Sequence, residues 1–585
     1  MKPIKKLLVT TALDSTWGSQ ENIVFLGEWC KKYSMRGSWQ SRKHQTLDYH
    51  WRDREKLFKD HSYLESLNED MLTGLTSFLN KFHGVEKPAH YWRIIIGPWL
   101  LAYVSVIWDR WEAVSLAIDL DDELETFVLE RALKRVIPKD FTSFREALDS
   151  DSWNHTIFAS ILNERASSKI EVTSLDTHLP IEITLPTLHL TFRQKFLPAL
   201  ARFADSCFQK FSSKTKKILF FHSYFPRKHL LYFYFKLGLF PLWHSALKQK
   251  IYYPDAVNRE DLTFHGLKVN NNFESYLCKS IISDIPIAYL EGYKDLFILS
   301  KTLASAGVIF TANAYIGNEL FKVWSAGQVL SGSKLIISAH GGALAERYDM
   351  FNHEDKIANS RVVWGKEWLD SQTRMPPNKI HFKIKNYHQH TKILFIDYEA
   401  TRYGYRCVSV PIGPLVLKVF ENNMHFLQSL DQKLICNLKI RPKSLGSWET
   451  KLRYKDSFGA NSISKEPTIL KDMQSSKVII CSYPQTAFAE AMYSGIPTIL
   501  LLTKNYWEFQ LIYDDLLEEL ERVKILHFNP LDAAKHLAEI YPNPQIWWES
   551  SDVLSARKKF NEICLTITEN PLNQWTTFLK NIDLK

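Results

Sequence analysis

Apolar residues in this chain fall in short blocks that end on glycine, proline or small polar residues. The blocks alternate with longer segments of helical period. Leu335-Ile336-Ile337 runs through Ser338-Ala339 into His340-Gly341-Gly342, as a buried strand does when it empties into a tight turn. Val478-Ile479-Ile480-Cys481-Ser482 repeats the pattern downstream, followed by Thr486, Glu490 and the helix stop Gly495-Ile496-Pro497. Further strands are predicted at 6–11, 23–27, 217–222, 308–310, 393–396, 434–440, 498–502 and 523–527. Residues 50–150 read as mostly helical, and helices are also predicted over 228–250, 316–328, 414–430, 485–494, 507–521 and 531–540. Strand, helix, strand in that order implies parallel sheets with right-handed crossovers.

A length of 585 residues is too long for one core. The pattern divides the chain into an N-terminal Rossmann-like domain over 1–345, a connection over 346–390 rich in His, Asn, Asp and Pro, a doubly wound domain over 391–560, and a tail over 561–585. The fold class expected is α/β, two Rossmann-like doubly wound domains facing across a cleft with helical additions in the first. Hydrophobic content of 45% and charged content of 23% are those of a globular protein. The formal charge of +9 suits an anionic small substrate or an anionic membrane surface, and no zinc module or aromatic RNA-binding motif accompanies it, so nucleic acid is not an expected partner. Seven scattered cysteines without a CxxC pair fit a reduced, cytoplasmic protein. The longest apolar run, Ile94 to Trp108, is closed by Arg93 and Asp109 and is shorter than the roughly 20 residues of a spanning helix. It reads as a buried helix, which leaves peripheral contact with the inner membrane as the expected limit of membrane association.

In open parallel sheets, ligands bind beyond the carboxyl ends of strands. His340 is placed there, with Gly341 and Gly342 letting backbone approach a ligand, and can serve as general base or as donor to a phosphate oxygen. The bland alternative is a histidine satisfying a loop carbonyl. Ser482, Gln485 and Thr486 stand at a strand end and helix start, where free N–H groups and hydroxyls can hold a phosphate. Glu490, one helical turn after Thr486, can accept from ribose hydroxyls. Simple helix capping is the competing explanation for Ser482 and Thr486. Arg441, after a strand, suits bidentate pairing with phosphate, or a surface salt bridge. His353 and Glu354 lie in the connection, where Glu354 is a candidate acid/base group or a solvated carboxylate. Aromatic and charged residues such as Trp51, Asp53-Arg54, Trp92-Arg93 and Asp109-Arg110 fit an acceptor sugar, but buried Arg–Asp pairs of a helical core fit better. No Asp-x-Asp stands at a strand end to hold a metal on a nucleotide diphosphate, so no metal and no cofactor are expected.

At these residues the chain resembles the transferases of bacterial O-antigen and capsule clusters. The resemblance rests on Thr10-Thr11-Ala12 with Phe25-Leu26-Gly27-Glu28-Trp29, on His50-Trp51-Arg52-Asp53-Arg54, and on Tyr91-Trp92-Arg93-Ile94 with Gly97-Pro98-Trp99. His340-Gly341-Gly342, His353-Glu354 with Lys356-Ile357, and Trp364-Gly365 extend it over nearly the whole length. The pattern departs at Ala343-Leu344-Ala345, where glycine and tyrosine are expected, and at Asn359, where aspartate is expected. That group is similar to the GT-B glycosyltransferases and, more distantly, to capsule Kdo transferases. The resemblance implies a cytoplasmic enzyme that transfers a nonulosonic acid of the pseudaminic type from its CMP form to an oligosaccharide or lipid-linked glycan acceptor. It assigns His340 a catalytic or donor-phosphate role and puts Arg441, Ser482, Thr486 and Glu490 on the donor side. A UDP- or GDP-sugar transferase and a non-catalytic component of polysaccharide assembly are the alternatives.

Overall fold

The computed structural model describes residues 5–129, 136–165, 169–176, 218–239, 247, 251, 253–256, 258–378, 390–442 and 447–582. It is a mixed α/β structure with three five-stranded parallel sheets. The first holds β1 (Lys6–Val9), β2 (Asn22–Phe25), β3 (Lys43–Thr46), β4 (Leu124–Leu129) and β5 (Ile170–Leu175), in the order β3-β2-β1-β4-β5. The second holds β6 (Ile218–Phe220), β7 (Val308–Thr311), β8 (Lys334–Ser338), β9 (Ser360–Val363) and β10 (Gln372–Arg374), in sequential order. The third holds β11 (Lys392–Ile396), β12 (Leu438–Arg441), β13 (Ser476–Cys481), β14 (Thr498–Leu501) and β15 (Leu526–His527), ordered β12-β11-β13-β14-β15. The central strands are buried along their length, which is why they read as unbroken apolar blocks.

Two 30-residue helices, α1 (Arg54–His83) and α2 (Ala89–Ile118), pack side by side. Asp53 caps α1 by accepting from the Lys56 N–H, and Gly84 ends it at φ 64°. The apolar run from Ile94 to Trp108 lies inside α2, whose most apolar window is 83% buried within the protein. Its charges are paired internally. Asp109 accepts from Tyr49 Oη at 2.7 Å and from His50 Nε2 at 3.1 Å, and Arg110 donates to Asn154 at 2.8 Å and to the Gly404 carbonyl at 2.6 Å.

Several elements depart from the pattern. Residues 346–390, expected to be only a connection, supply β9 and β10 to the second sheet. These are short strands, and β10 is a polar edge strand, Gln-Thr-Arg. β3, Lys-His-Gln-Thr, and β5 are also edge strands with polar or exposed positions, so the apolar periodicity misses them. The strand expected over 434–440 begins instead as a helical turn, Gln432–Ile435, because the Asp431 carboxylate captures the Leu434 N–H at 2.9 Å. The helix expected over 507–521 starts only at Asp514, since Phe509 forms an antiparallel bridge with Glu346. The helix expected over 228–250 is present at Arg227–Lys236; residues 240–246 and 248–250 lie outside the described residues. Asn359 pins β8 by accepting from the Leu335 N–H at 2.8 Å, a task its side-chain carbonyl performs without a charge.

Candidate active site

The carboxyl end of β8 delivers His340-Gly341-Gly342 to a cavity of about 620 Å³. Helix α3 (Thr486–Ser494), which follows β13 of the third sheet, points its N-terminus into the same cavity. The two walls touch. A Cβ on Gly341 would lie 2.2 Å from Thr486 Oγ1, so a larger residue there would have to push the Thr486 hydroxyl aside. The Leu344 N–H donates to the Pro484 carbonyl at 3.3 Å, and Gln485 Nε2 donates to Glu346 at 3.1 Å. No side chain caps the first turn of α3, which leaves its N–H groups facing the cavity.

Of the residues singled out from the sequence, His340, Gly341, Gly342, His353, Glu354, Gln485 and Thr486 line this cavity. His340 is exposed at its mouth, its ring stacked on Tyr224 with centroids 6.3 Å apart. Glu354 is tied down: Tyr315 Oη donates to one carboxylate oxygen and Arg361 pairs with the other at 2.8 Å. Burial pushes its carboxyl up, but the Arg361 guanidinium and the Tyr315 hydroxyl overcome it and hold the group below the usual range. The His353 ring is buried against Gly97 of α2, where a Cβ would lie 2.4 Å from Cε1. Burial lowers its pKa to about 3, so it is neutral.

Three candidates lie elsewhere. Arg441 pairs with Asp472 and donates to the Glu466 carbonyl at 3.0 Å. Asp472 also takes Lys392 at 3.1 Å, so this is an ion-pair cluster between β11, β12 and the helix before β13. Ser482 is fully buried; its hydroxyl accepts from the Tyr398 N–H at 2.8 Å and donates to Asp397 at 3.4 Å. It therefore ties the end of β13 to the end of β11 and is not a helix cap. Glu490 is on the buried face of α3 at 8% exposure.

The geometry adds Arg406, which the sequence pattern does not single out. The segment that leaves β11 is anchored on both sides of it. Arg402 donates to Asp151 at 2.7 Å and Tyr403 to the same carboxylate at 2.6 Å, while the Ser409 N–H donates to the Tyr348 carbonyl at 3.0 Å. Between these anchors the Arg406 guanidinium lines the cavity. Its nearest carboxylate is Glu346 at 3.9 Å, it makes no hydrogen bond among the described residues, and its Nε is buried without a partner. Burial lowers its proton affinity, but Tyr405, Glu346 and their neighbours more than restore it, so the charge stays. Glu346 and Asp349, also on the wall, are both pushed above the usual carboxylate range, chiefly by burial. The dense aromatic–arginine run Arg402-Tyr403-Gly404-Tyr405-Arg406 just after a strand is the signal that could have marked this segment.

A parallel α/β protein with a polar cavity at strand and helix ends has the build of a group-transfer enzyme. The chain matches the family described as LIC12162 family transferase over residues 6–579, and it belongs to that family. No curated protein matches it.

Proposed function

We propose that this transferase is a glycosyltransferase of capsule or O-antigen assembly that moves a nonulosonic acid of the pseudaminic type from a CMP donor to a glycan acceptor. In this reading the second and third sheets are the two facing halves of a GT-B arrangement, and the first sheet with α1 and α2 is the helical addition. The observation that carries it is the meeting of the His340-Gly341-Gly342 turn with the N-terminus of α3 across one cavity, with Arg406 beside them.

Each group then has a task. The donor phosphate lies against the uncapped N–H groups of α3, the Thr486 hydroxyl and Arg406, which stabilise the charge that develops on the departing CMP oxygen. His340 stands at the mouth, where an acceptor hydroxyl enters, and either takes the hydroxyl proton or donates to the phosphate. Glu346 and Asp349, whose proton affinity burial raises, are the further wall groups able to exchange a proton. Glu354 keeps Arg361 in place. Arg361 is offset by Glu354 at 2.8 Å and Asp355 at 2.6 Å, which leaves Arg406 and Lys366 as the lining cations toward a donor phosphate. Thermal shift with CMP, UDP and GDP tests the donor class. CMP raises the melting temperature and the nucleoside diphosphates do so less; a larger effect of UDP or GDP replaces the donor assignment.

A further inference from the structure

The helix α4 (Arg227–Lys236), which in chain order precedes the cavity elements, carries a surface that the transferase reading does not use. Its inner face is filled. Phe233 is fully buried, Phe225 just before the helix packs edge-on against Trp575 at 4.8 Å, and Tyr232 Oη donates to Asn573 at 3.3 Å. Its outer face is apolar and bare: Leu231 is 67% and Phe235 85% exposed. Arg227, Leu231 and Phe235 are spaced by four and share that face, with Lys228 and Lys236 beside it. None of the three cations forms an ion pair among the described residues.

The surrounding sequence is basic as well, three of its cations being those of α4 and the other six lying outside the described residues. Between Asp205 and Asp255 there are eight Lys, one Arg and no Asp or Glu, a charge of +9, which equals the +9 of the whole chain. An exposed Leu–Phe pair framed by three cations, without one carboxylate nearby in sequence, complements the anionic headgroup plane of a bilayer: the two apolar side chains enter the acyl boundary and the cations meet lipid phosphates. A protein partner for this face would have to be acidic as well as apolar.

We infer that the outer face of α4 docks the protein on an anionic phospholipid bilayer. The start of α4 is near His340, because Tyr224, two residues before the N-cap Pro226, stacks on it. Presentation of a lipid-linked acceptor to His340 is the purpose this serves if the glycosyltransferase reading holds; the docking itself does not depend on that reading.

Co-sedimentation of the full chain with phosphatidylcholine vesicles, with and without phosphatidylglycerol, tests it. The expected bound fraction is roughly tenfold higher on the anionic vesicles and falls as salt rises from about 50 to about 500 mM. Leu231→Asp with Phe235→Asp abolishes binding, and Arg227→Glu with Lys228→Glu weakens it, while both keep the wild-type melting temperature because these side chains are exposed. Equal binding to neutral and anionic vesicles, no binding to either, or wild-type binding by both double variants overturns the inference. So does a dimer in solution that L231D/F235D dissociates without vesicle binding by the wild type. CMP thermal shift without vesicles reads the active-site proposal separately.

Discussion

At the residue scale, two side chains carry consequences that a surface charge would not. Arg406 is held between anchored segments with unused donors, so its loss removes a charge-assisted contact and little of the fold. Arg406→Ala is expected to weaken CMP binding roughly 10- to 100-fold by calorimetry, with Arg406→Lys recovering only part of it because a bidentate fork becomes a point charge. Asp397, buried at the end of β11, is the second. Burial, with the Glu399 charge beside it, pushes its carboxyl up to about 8 against the opposing hydrogen bond from Asn423 Nδ2. Because the folded pKa is the higher one, the folded state binds the extra proton. Its contribution to stability is complete below about pH 4 and is lost as pH rises toward about 8. Asp397→Asn should therefore melt higher than the wild type above pH 8, by an amount on the order of a few kcal/mol, and the gap should close at low pH. A constant gap across pH assigns the effect to packing instead.

At the scale of elements, the contact of Gly341 with Thr486 joins β8 to α3. Gly341→Ala forces a Cβ to 2.2 Å from Thr486 Oγ1 and should cost about 1–3 kcal/mol of stability. Removing that oxygen as well, in the double variant with Thr486→Ala, leaves the nearest contact at the 3.5 Å of ordinary van der Waals distance and should restore much of the melting temperature. Additive losses contradict a direct contact. This contact also shows what a sequence can and cannot disclose. The apolar blocks of β8, β11, β13 and β14 are legible because both faces of these strands are buried, and the His-Gly-Gly turn is legible because it interrupts one of them. The edge strands β3, β5 and β10 are not, since an edge can be polar. Ser482 and Arg441 sit at strand ends as expected, yet their donors are spent on Asp397 and Asp472, partners that tertiary pairing alone brings near. Arg406 was hidden for the converse reason: its segment has no periodicity and is held by Asp151 and Tyr348 from distant parts of the chain.

At the scale of the whole molecule, one continuous apolar core joins the three parallel sheets, and the cavity draws on the second and third of them. Arg54 of α1 pairs with Glu508, and Arg110 and Arg402 reach across to the segment after β11 and to the first sheet's flank, so the helical pair braces the segment that carries Arg406. In the proposed reaction this brace, the His340 turn and the α3 N-terminus together hold a CMP-activated sugar. Release of CMP from CMP-pseudaminic acid in the presence of a lipid-linked glycan acceptor tests it most directly. The expected result is acceptor-dependent release that persists in EDTA and falls by about 10²-fold or more in His340→Ala. No release from any of several CMP-nonulosonates, with turnover of a UDP- or GDP-sugar in its place, would contradict it.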